Sequence, residues 1–270
     1  MKSAELLALY DDTMRRNVQI AGCAREITPL VTRCTTTTGS QRYIMWHDFS
    51  ESGVTASVDA ELAAVRGHAK VLMWKLYGHD STHNELREKL ISRGCEENDH
   101  YTLMATPVHA LIDALAATQK NALPDLSVRE LVTAKDLDAY QNIWDDVWPD
   151  APNARYVNDY RALIERQEPG VAFFAGFAGS SEFGSDNPVT SGYMFHAPGA
   201  PFALLCGGTT KAAWRRQHAY TRMLAVRAQA ALERGASYLA VEASPESKPI
   251  LERLGFVPQS TLAFYEKHID

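Results

Sequence analysis

The stretch that decides the fold reads Phe202-Ala-Leu-Leu-Cys-Gly-Gly-Thr-Thr-Lys-Ala-Ala-Trp-Arg-Arg-Gln-His-Ala-Tyr-Thr-Arg-Met-Leu224. An apolar run typical of a buried strand ends at two glycines, a short connection follows, and a long helical pattern begins near Ala219. The first turn of a helix leaves several backbone N–H groups without partners and carries the positive end of the helix dipole. The pattern therefore predicts an anion-binding site, and a solvated helix start is the open alternative.

Basic side chains surround this predicted helix start. Lys211, Arg215 and Arg216 precede it, and Arg222 lies one turn into it. The chain as a whole is acidic, with 27 Lys and Arg against 33 Asp and Glu and a net charge of −6. A basic cluster in an acidic chain favours an anionic ligand, whereas the lack of long basic runs argues against nucleic acid.

Composition places the chain among ordinary globular proteins, with 46% hydrophobic and 22% charged residues over 270 positions. The longest apolar run, residues 171–178, is far shorter than the ~20 residues of a membrane-spanning helix. The four cysteines are far apart, and none has zinc-ligand spacing. The first residues lack the features of a signal peptide. We therefore expect a cytoplasmic protein with no membrane span and no metal.

Strand and helix patterns alternate in both directions from the quoted stretch. Downstream, the sequence predicts a helix over residues 219–234, a strand over 238–242, a short helix over 247–254 and one or two strands over 256–266. Upstream, turn residues and a proline at 119–125 predict a linker that divides the chain into residues 1–122 and 123–270. A weak repeat occurs twice in the chain, each time in the order strand, short helix, glycine and strand. It favours two related units, and the alternative is the ordinary succession of helices, strands and turns in an α/β protein.

The quoted stretch and a second one, Ala243-Ser-Pro-Glu-Ser-Lys-Pro-Ile-Leu-Glu-Arg-Leu-Gly-Phe256, together resemble the GNAT superfamily of N-acetyltransferases. The family's acetyl-coenzyme-A motif, Gln/Arg-x-x-Gly-x-Gly/Ala, falls on residues 215–220, and the resemblance covers about residues 126–266. It is greatest to bacterial members with a second, degenerate GNAT-like unit upstream. This implies an α/β (α+β) fold of two GNAT-like units, each a mixed, mostly antiparallel sheet flanked by helices.

The resemblance implies acetyl-CoA as co-substrate. The positions that match the family's cofactor contacts lie on the strand end, on the loop with the helix start and on a later turn: Thr209, Thr210, Arg215, Arg216, Gln217, His218, Ala219, Tyr220, Thr221, Ser244 and Ser247. Two departures concern the diphosphate loop, where His218 and Tyr220 replace small residues. A third is Leu251, which falls where many members carry the tyrosine that protonates the leaving thiolate.

Acetyl transfer to an amine needs a base for the ammonium proton and an acid for the thiolate. We assign these roles to Glu242 and Tyr265. The respective alternatives are a surface or cap carboxylate and a half-buried strand tyrosine. The predicted function is acetyl-CoA-dependent N-acetyl transfer to a small-molecule or peptide amine. The alternative is a non-catalytic CoA-binding or protein-interaction module. Oligomeric state stays open, with a homodimer as one option.

One further motif lies in the upstream half. His79 and Asp80 resemble part of a Ser-His-Asp arrangement. No Gly-x-Ser-x-Gly elbow accompanies them, so we discount hydrolase chemistry and predict a turn at a strand end.

Overall fold

The computed structural model describes residues 2–118, 126–151, 153–179 and 187–269. Two compact units form: the first comprises Met1–Met104, Glu242–Glu252 and Val257–Asp270, and the second comprises Ala105–Val241 and Arg253–Phe256. The predicted linker at 119–125 lies outside the described residues, and the division at 122/123 stays a prediction.

Helices and strands follow one another along the described chain in this order: α1 (Ser3–Tyr10), β1 (Cys23–Ile27), β2 (Val31–Thr36), β3 (Gln41–His47), α2 (Val54–Ala64), β4 (Val71–Tyr77), α3 (His83–Ser92), β5 (Glu96–Pro107), α4 (Val108–Thr118), β6 (Leu126–Leu131), α5 (Leu137–Val147), α6 (Asn153–Glu165), β7 (Val171–Ala178), β8 (Pro188–Phe195), β9 (Phe202–Thr210), α7 (Ala219–Glu233), β10 (Tyr238–Ala243), α8 (Lys248–Arg253) and β11 (Val257–His268). A π-helical turn, Asp11–Arg16, continues α1.

The sheet of the first unit is mixed. β1, β2 and β3 pair antiparallel, β3 pairs parallel with β4, and β4 pairs antiparallel with β11. The last described strand thus joins the sheet of the first unit, with Tyr265 opposite Trp74. Trp74, Leu76 and Tyr265 lie in its core and are almost inaccessible, because α2 and α3 bring Val58 and Leu86 into the same cluster.

The second unit contains the mostly antiparallel sheet that the resemblance implies. β6, β7, β8 and β9 pair antiparallel in sequence order, and β10 pairs parallel with β9. α5 and α6 pack an aromatic cluster onto this sheet, with Tyr160 between Phe173 and Tyr193 at ring distances of 4.9 and 5.2 Å. The predicted helix over 219–234 is observed as α7, which ends before Gly235 at a φ of +88°. That conformation closes a helix at low cost only with glycine.

Among the described residues, no helix has both the length and the apolar character that crossing a bilayer requires. The same part of the chain brings no three His, Cys, Asp or Glu side chains together in a way that could hold a metal ion.

Candidate functional site

β9 loses one of its two neighbours halfway along its length. Residues 202–205 pair with residues 238–241 of β10, whereas residues 206–210 pair only with β8 among the described strands. The β8–β9 register shifts in this same segment, between the Tyr193–Cys206 and Ser191–Thr209 pairs. Among the described strands, β9 therefore has no neighbour on this side beyond residue 205, although the Cys206, Gly207 and Thr210 carbonyls already accept hydrogen bonds from side chains. A strand edge of this kind can recognise the amide groups of an extended ligand as a neighbouring strand would.

Two glycines shape this irregular segment of β9. Gly207 has a φ of +57°, and a Cβ there would overlap the ring of Tyr193 and crowd the Tyr140 hydroxyl. A Cβ at Gly208 would instead meet the ring of Tyr220, which belongs to α7. The aromatic cluster thus lies against one face of β9 and α7 against the other.

The connection from β9 to α7 contains two residues in the left-handed region. Arg216 has a φ of +61°, and His218 has a φ of +62° with a ψ of 6°. The first helical bond joins the Arg222 N–H to the His218 carbonyl at 2.9 Å. Within the described ranges, the backbone N–H groups of residues 216–221 donate to no acceptor of the chain. Such a row of free donors, with left-handed residues among them, is the backbone arrangement that binds anions.

The side chains at the beginning of this row are exposed to solvent. Arg215, Arg216, Gln217 and His218 are all exposed. The Arg215 Nε donates to the Thr210 carbonyl at 3.0 Å, and the Gln217 amide donates to the Ala213 carbonyl at 2.6 Å. Positive charge therefore lies at the N-terminus of α7, where the helix dipole also favours an anion.

The other predicted contacts of this segment are used within the second unit. Thr209 is buried and its hydroxyl donates to the Gly207 carbonyl at 3.2 Å, while the Thr210 hydroxyl lies 2.9 Å from that of Thr190. Ala219 is buried, and the Thr221 hydroxyl donates to the His218 carbonyl. The three hydroxyl groups thus already have hydrogen-bond partners within this unit.

Arg227 is a feature that the sequence did not single out. Its side chain is buried in α7, and its Nη1 donates to the carbonyls of Tyr193 and Cys206 at 3.2 and 3.1 Å. Burial lowers the pKa of this guanidinium. It links β8 to β9 where the register shifts, so we interpret it as the residue that holds the irregular segment in place. The signal in the sequence was an arginine within the apolar face formed by Ala219, Met223, Leu224, Ala228 and Ala231.

Ser244 and Ser247 lie in the first unit at the beginning of α8. The Ser244 carbonyl accepts the N–H groups of Ser247 and Lys248 at 3.1 and 2.9 Å, and the Ser244 hydroxyl accepts the Ser247 N–H at 3.3 Å. These contacts cap the short helix. Leu251, one turn further on, is fully buried.

Glu242, the predicted base, has two partners in the first unit. The Lys75 Nζ donates to both carboxylate oxygens at 2.7 and 3.0 Å, and the Tyr77 hydroxyl donates to one of them at 3.1 Å. Burial raises the pKa of Tyr77 well above its ordinary value, and the charges of Tyr10 and Glu242 add to the effect. Neither Lys75 nor Tyr77 was singled out for this role, because 167 positions separate Lys75 from Glu242.

Tyr265, the predicted acid, lies in the core of the first unit. Its hydroxyl donates to Glu97 at 2.8 Å, and Glu97 also pairs with Arg87 at 2.7 Å. Burial and the neighbouring Glu97 carboxylate raise the pKa of Tyr265. The assignments of Glu242 and Tyr265 stay predictions, but the structure engages both groups with other side chains.

No family profile matches the sequence, and no curated protein matches it. Solved structures do match. A conserved protein of unknown function from Staphylococcus epidermidis aligns with a TM-score of 0.68 at 11% identity, over 96% of this chain and 98% of that one. A GCN5-related N-acetyltransferase from Kribbella flavida aligns at 0.62 and 16%, over 98% and 93% of the two chains. A tandem GNAT protein from the clavulanic acid biosynthesis pathway aligns at 0.60 and 11%, over 88% and 78%.

These likenesses confirm the predicted fold, which is that of the GNAT superfamily in its tandem form. At such low identities they concern the fold alone, since one fold hosts many functions.

Proposed function

We propose that this chain, which has the tandem GNAT fold, is an acetyl-CoA-dependent N-acetyltransferase that acts on an amine of a small molecule or a peptide. The observation that carries the proposal is the row of unpaired N–H groups at residues 216–221, flanked by the exposed Arg215 and Arg216. A diphosphate fits such a helix start because it accepts several backbone hydrogen bonds and carries the charge that the dipole favours.

The neighbouring edge of β9 supports the same ligand. A pantetheine arm carries two amide groups, which can form hydrogen bonds with the backbone of residues 207–210 as an added strand would. The thioester, when bound, supplies an acetyl group that is already activated. The chain's own contribution is then to orient this group, to exclude water and to move two protons.

The chemistry assigns those protons to two groups. As the acceptor amine attacks the thioester carbon, its extra proton passes to a base, and the departing sulfur takes a proton from an acid. Glu242 remains our candidate base, acting through water, with Lys75 and Tyr77 holding its carboxylate in place. Tyr265 is the weaker candidate for its role, because donating to Glu97 and a raised pKa both oppose release of its proton. A cytoplasmic location is part of the proposal.

Calorimetric titration with acetyl-CoA tests the diphosphate site. We expect Arg216→Glu to weaken binding by about tenfold or more, since charge-assisted hydrogen bonds contribute about 1.5–3 kcal/mol and 1.4 kcal/mol is tenfold. Lys135→Glu is the matched control, because Lys135 is also an exposed cation and lies elsewhere in the second unit. Equal weakening by both variants would contradict the assigned site, and no heat of binding by the wild type would contradict any CoA-dependent function.

Thiol release across a panel of amines then tests catalysis. Amine-dependent release supports the transferase, and its loss in Glu242→Gln supports the assigned base. Binding without release would favour the alternative, a non-catalytic CoA-binding or protein-interaction module. That alternative draws support from three observations: His218 in place of glycine, Leu251 in place of the usual acid, and Tyr265 engaged by Glu97.

A further inference from the structure

Three side chains far apart in sequence meet beside the end of β4 in the first unit. The Ser260 Oγ lies 2.7 Å from the His79 Nδ1, and the His79 Nε2 lies 2.8 Å from an oxygen of Asp11. Serine, imidazole and carboxylate thus form one hydrogen-bonded chain. This is the arrangement by which hydrolytic enzymes activate a serine, and it is recognised by geometry rather than by order in the sequence.

The fold brings the serine and the histidine together through a close contact of the β4 turn with β11. The Gly78 N–H donates to the Thr261 carbonyl at 2.8 Å, and a Cβ at Gly78 would overlap the Thr261 hydroxyl. Only glycine therefore lets the turn approach the strand this closely. His79 is the next residue of the turn and Ser260 precedes Thr261, so the two side chains are held opposite each other.

Arg15 links the Asp11 carboxylate to the turn that carries His79. This buried guanidinium donates to Asp11 at 2.9 Å and to both oxygens of Asp80 at 2.8 and 3.0 Å, and it lies over the Tyr77 ring. Its Nη1 also approaches the His79 Nε2 at 3.2 Å. Asp80 in turn accepts the Tyr77 N–H, which fixes the turn that carries His79.

The ionisation state of Asp11 decides which nitrogen of the His79 imidazole carries the proton. Burial opposes its charge, but hydrogen bonds from His79 and Arg15 hold the pKa of Asp11 below its ordinary value. The His79 Nε2 lies closer to the Asp11 carboxylate, at 2.8 Å, than to the Arg15 Nη1, at 3.2 Å. We therefore assign the imidazole proton to Nε2, where the ionised carboxylate accepts it, so that the Nδ1 lone pair faces the Ser260 hydroxyl. That hydroxyl has a second acceptor, the Thr261 carbonyl at 3.0 Å, but the contact with Nδ1 is shorter. Ser260 is half-buried, and the side chains of His79 and Asp11 are each 26% exposed, so a small acyl group can reach the serine.

We propose that Ser260 is an activated nucleophile that accepts acyl groups from activated esters or thioesters, with His79 as its general base and Asp11 as a positioning residue. The Oγ–carbonyl bond forms while the bond from the carbonyl carbon to the leaving oxygen or sulfur breaks. The serine proton moves to His79 and from there to the leaving group. Water then attacks the acyl-serine, returns a proton to Oγ through His79, and releases the carboxylic acid.

Two probes test this proposal without acetyl-CoA, so it fails or stands independently of the proposed acetyl transfer. The first is a fluorophosphonate, followed by mass mapping of the labelled peptide. The second is hydrolysis of p-nitrophenyl acetate. We expect labelling of the wild type at Ser260, and loss of label with at least a tenfold slower hydrolysis in Ser260→Ala. Ser92→Ala is the matched control, since Ser92 is an exposed serine on α3.

A positioning role for Asp11 has its own signature. Asp11→Asn keeps the shape of the side chain but removes the charge that selects the tautomer, so we expect roughly tenfold or greater loss of labelling rate with an unchanged circular dichroism spectrum. If Asp11→Asn unfolds the first unit, His79→Gln replaces it in the same assay. An unlabelled wild type, or a Ser260→Ala variant that hydrolyses the ester as fast as the wild type, overturns the proposal.

Discussion

Replacing His218 by glycine tests whether strain is stored at the start of α7. The residue has a φ of +62°, is exposed and makes no side-chain hydrogen bond within the described part of the chain, so little else is lost with its side chain. A non-glycine residue in the left-handed region costs about 1–2 kcal/mol. Glycine has more conformational freedom than histidine in the unfolded chain, and losing this freedom on folding costs about 0.5–1 kcal/mol. We therefore expect His218→Gly to raise the free energy of unfolding by about 0.5–1 kcal/mol.

Urea unfolding followed by tryptophan fluorescence measures this gain, and Gln217→Gly provides the control. Gln217 is the exposed neighbour with an ordinary φ and a bond to the Ala213 carbonyl, so its replacement should cost about 1 kcal/mol. If His218→Gly is no more stable than the wild type, the left-handed conformation carries no strain. The same variant should bind acetyl-CoA more tightly, because a glycine lets a diphosphate approach the backbone closely. Weaker binding would mean that the imidazole itself contacts the ligand.

Two further substitutions test other parts of the structure. Gly207→Ala should destabilise the second unit by about 2–4 kcal/mol, because alanine would have to adopt the left-handed conformation and its Cβ would overlap the Tyr193 ring. Gly208→Ala should destabilise it clearly less. Equal unfolding midpoints of the two variants in urea would contradict this prediction. Burial lowers the pKa of His47 from 6.5 to about 4, so its neutral form stabilises the fold above pH 6.5 and that stability is lost as the pH falls towards 4. The free energy of unfolding should drop by roughly 2 kcal/mol between pH 7 and pH 5 through this group, and His47→Gln, which keeps an acceptor for the Trp74 indole, should remove that part of the slope. An unchanged slope would exclude His47 as its source.

The elements that local signals specify were predicted well. The sequence predicts a helix over residues 219–234, and α7 is observed at Ala219–Glu233. β10 is observed at Tyr238–Ala243, where the sequence predicts a strand over 238–242. Both predictions rest on periodicity and on the glycine after α7, which are properties of neighbouring residues. They place the loop and its basic side chains without knowledge of the rest of the fold.

Pairings between distant segments could not be predicted in the same way. Residues 256–266 were expected to close the carboxy-terminal unit, yet β11 pairs with β4 of the first unit. A strand in which apolar and polar residues alternate can pair with any free sheet edge of matching register. Its sequence therefore does not identify its partner strand. The partners of Glu242 and of Ser260 follow from this pairing, since β11 and the end of β10 both lie among residues of the first unit.

The serine partner of His79 is hidden in the sequence for the same reason, since it lies on a distant strand. The sequence gives His79 no serine partner, because no Gly-x-Ser-x-Gly elbow occurs in the chain, but that elbow is only one way to present a serine to a histidine. Here the serine comes from a strand almost two hundred positions later in the sequence, and the carboxylate comes from a π-helical turn near the start of the chain. A sequence motif defines neighbours along the chain, whereas the chemistry requires only neighbours in space.

The loop before α7 shows the opposite case, in which the residue type departs from the motif but the backbone still adopts a positive φ. The family motif has glycine where this chain has His218, and glycine is the residue that adopts a positive φ most readily. His218 nevertheless holds a φ of +62°, and Arg216 two positions earlier holds +61°. The free N–H groups that follow are therefore presented despite the substitution. The motif therefore specifies a backbone conformation. A histidine in place of its glycine lowers the stability of the fold and limits how closely a ligand approaches the backbone, but the N–H groups of the loop are still presented.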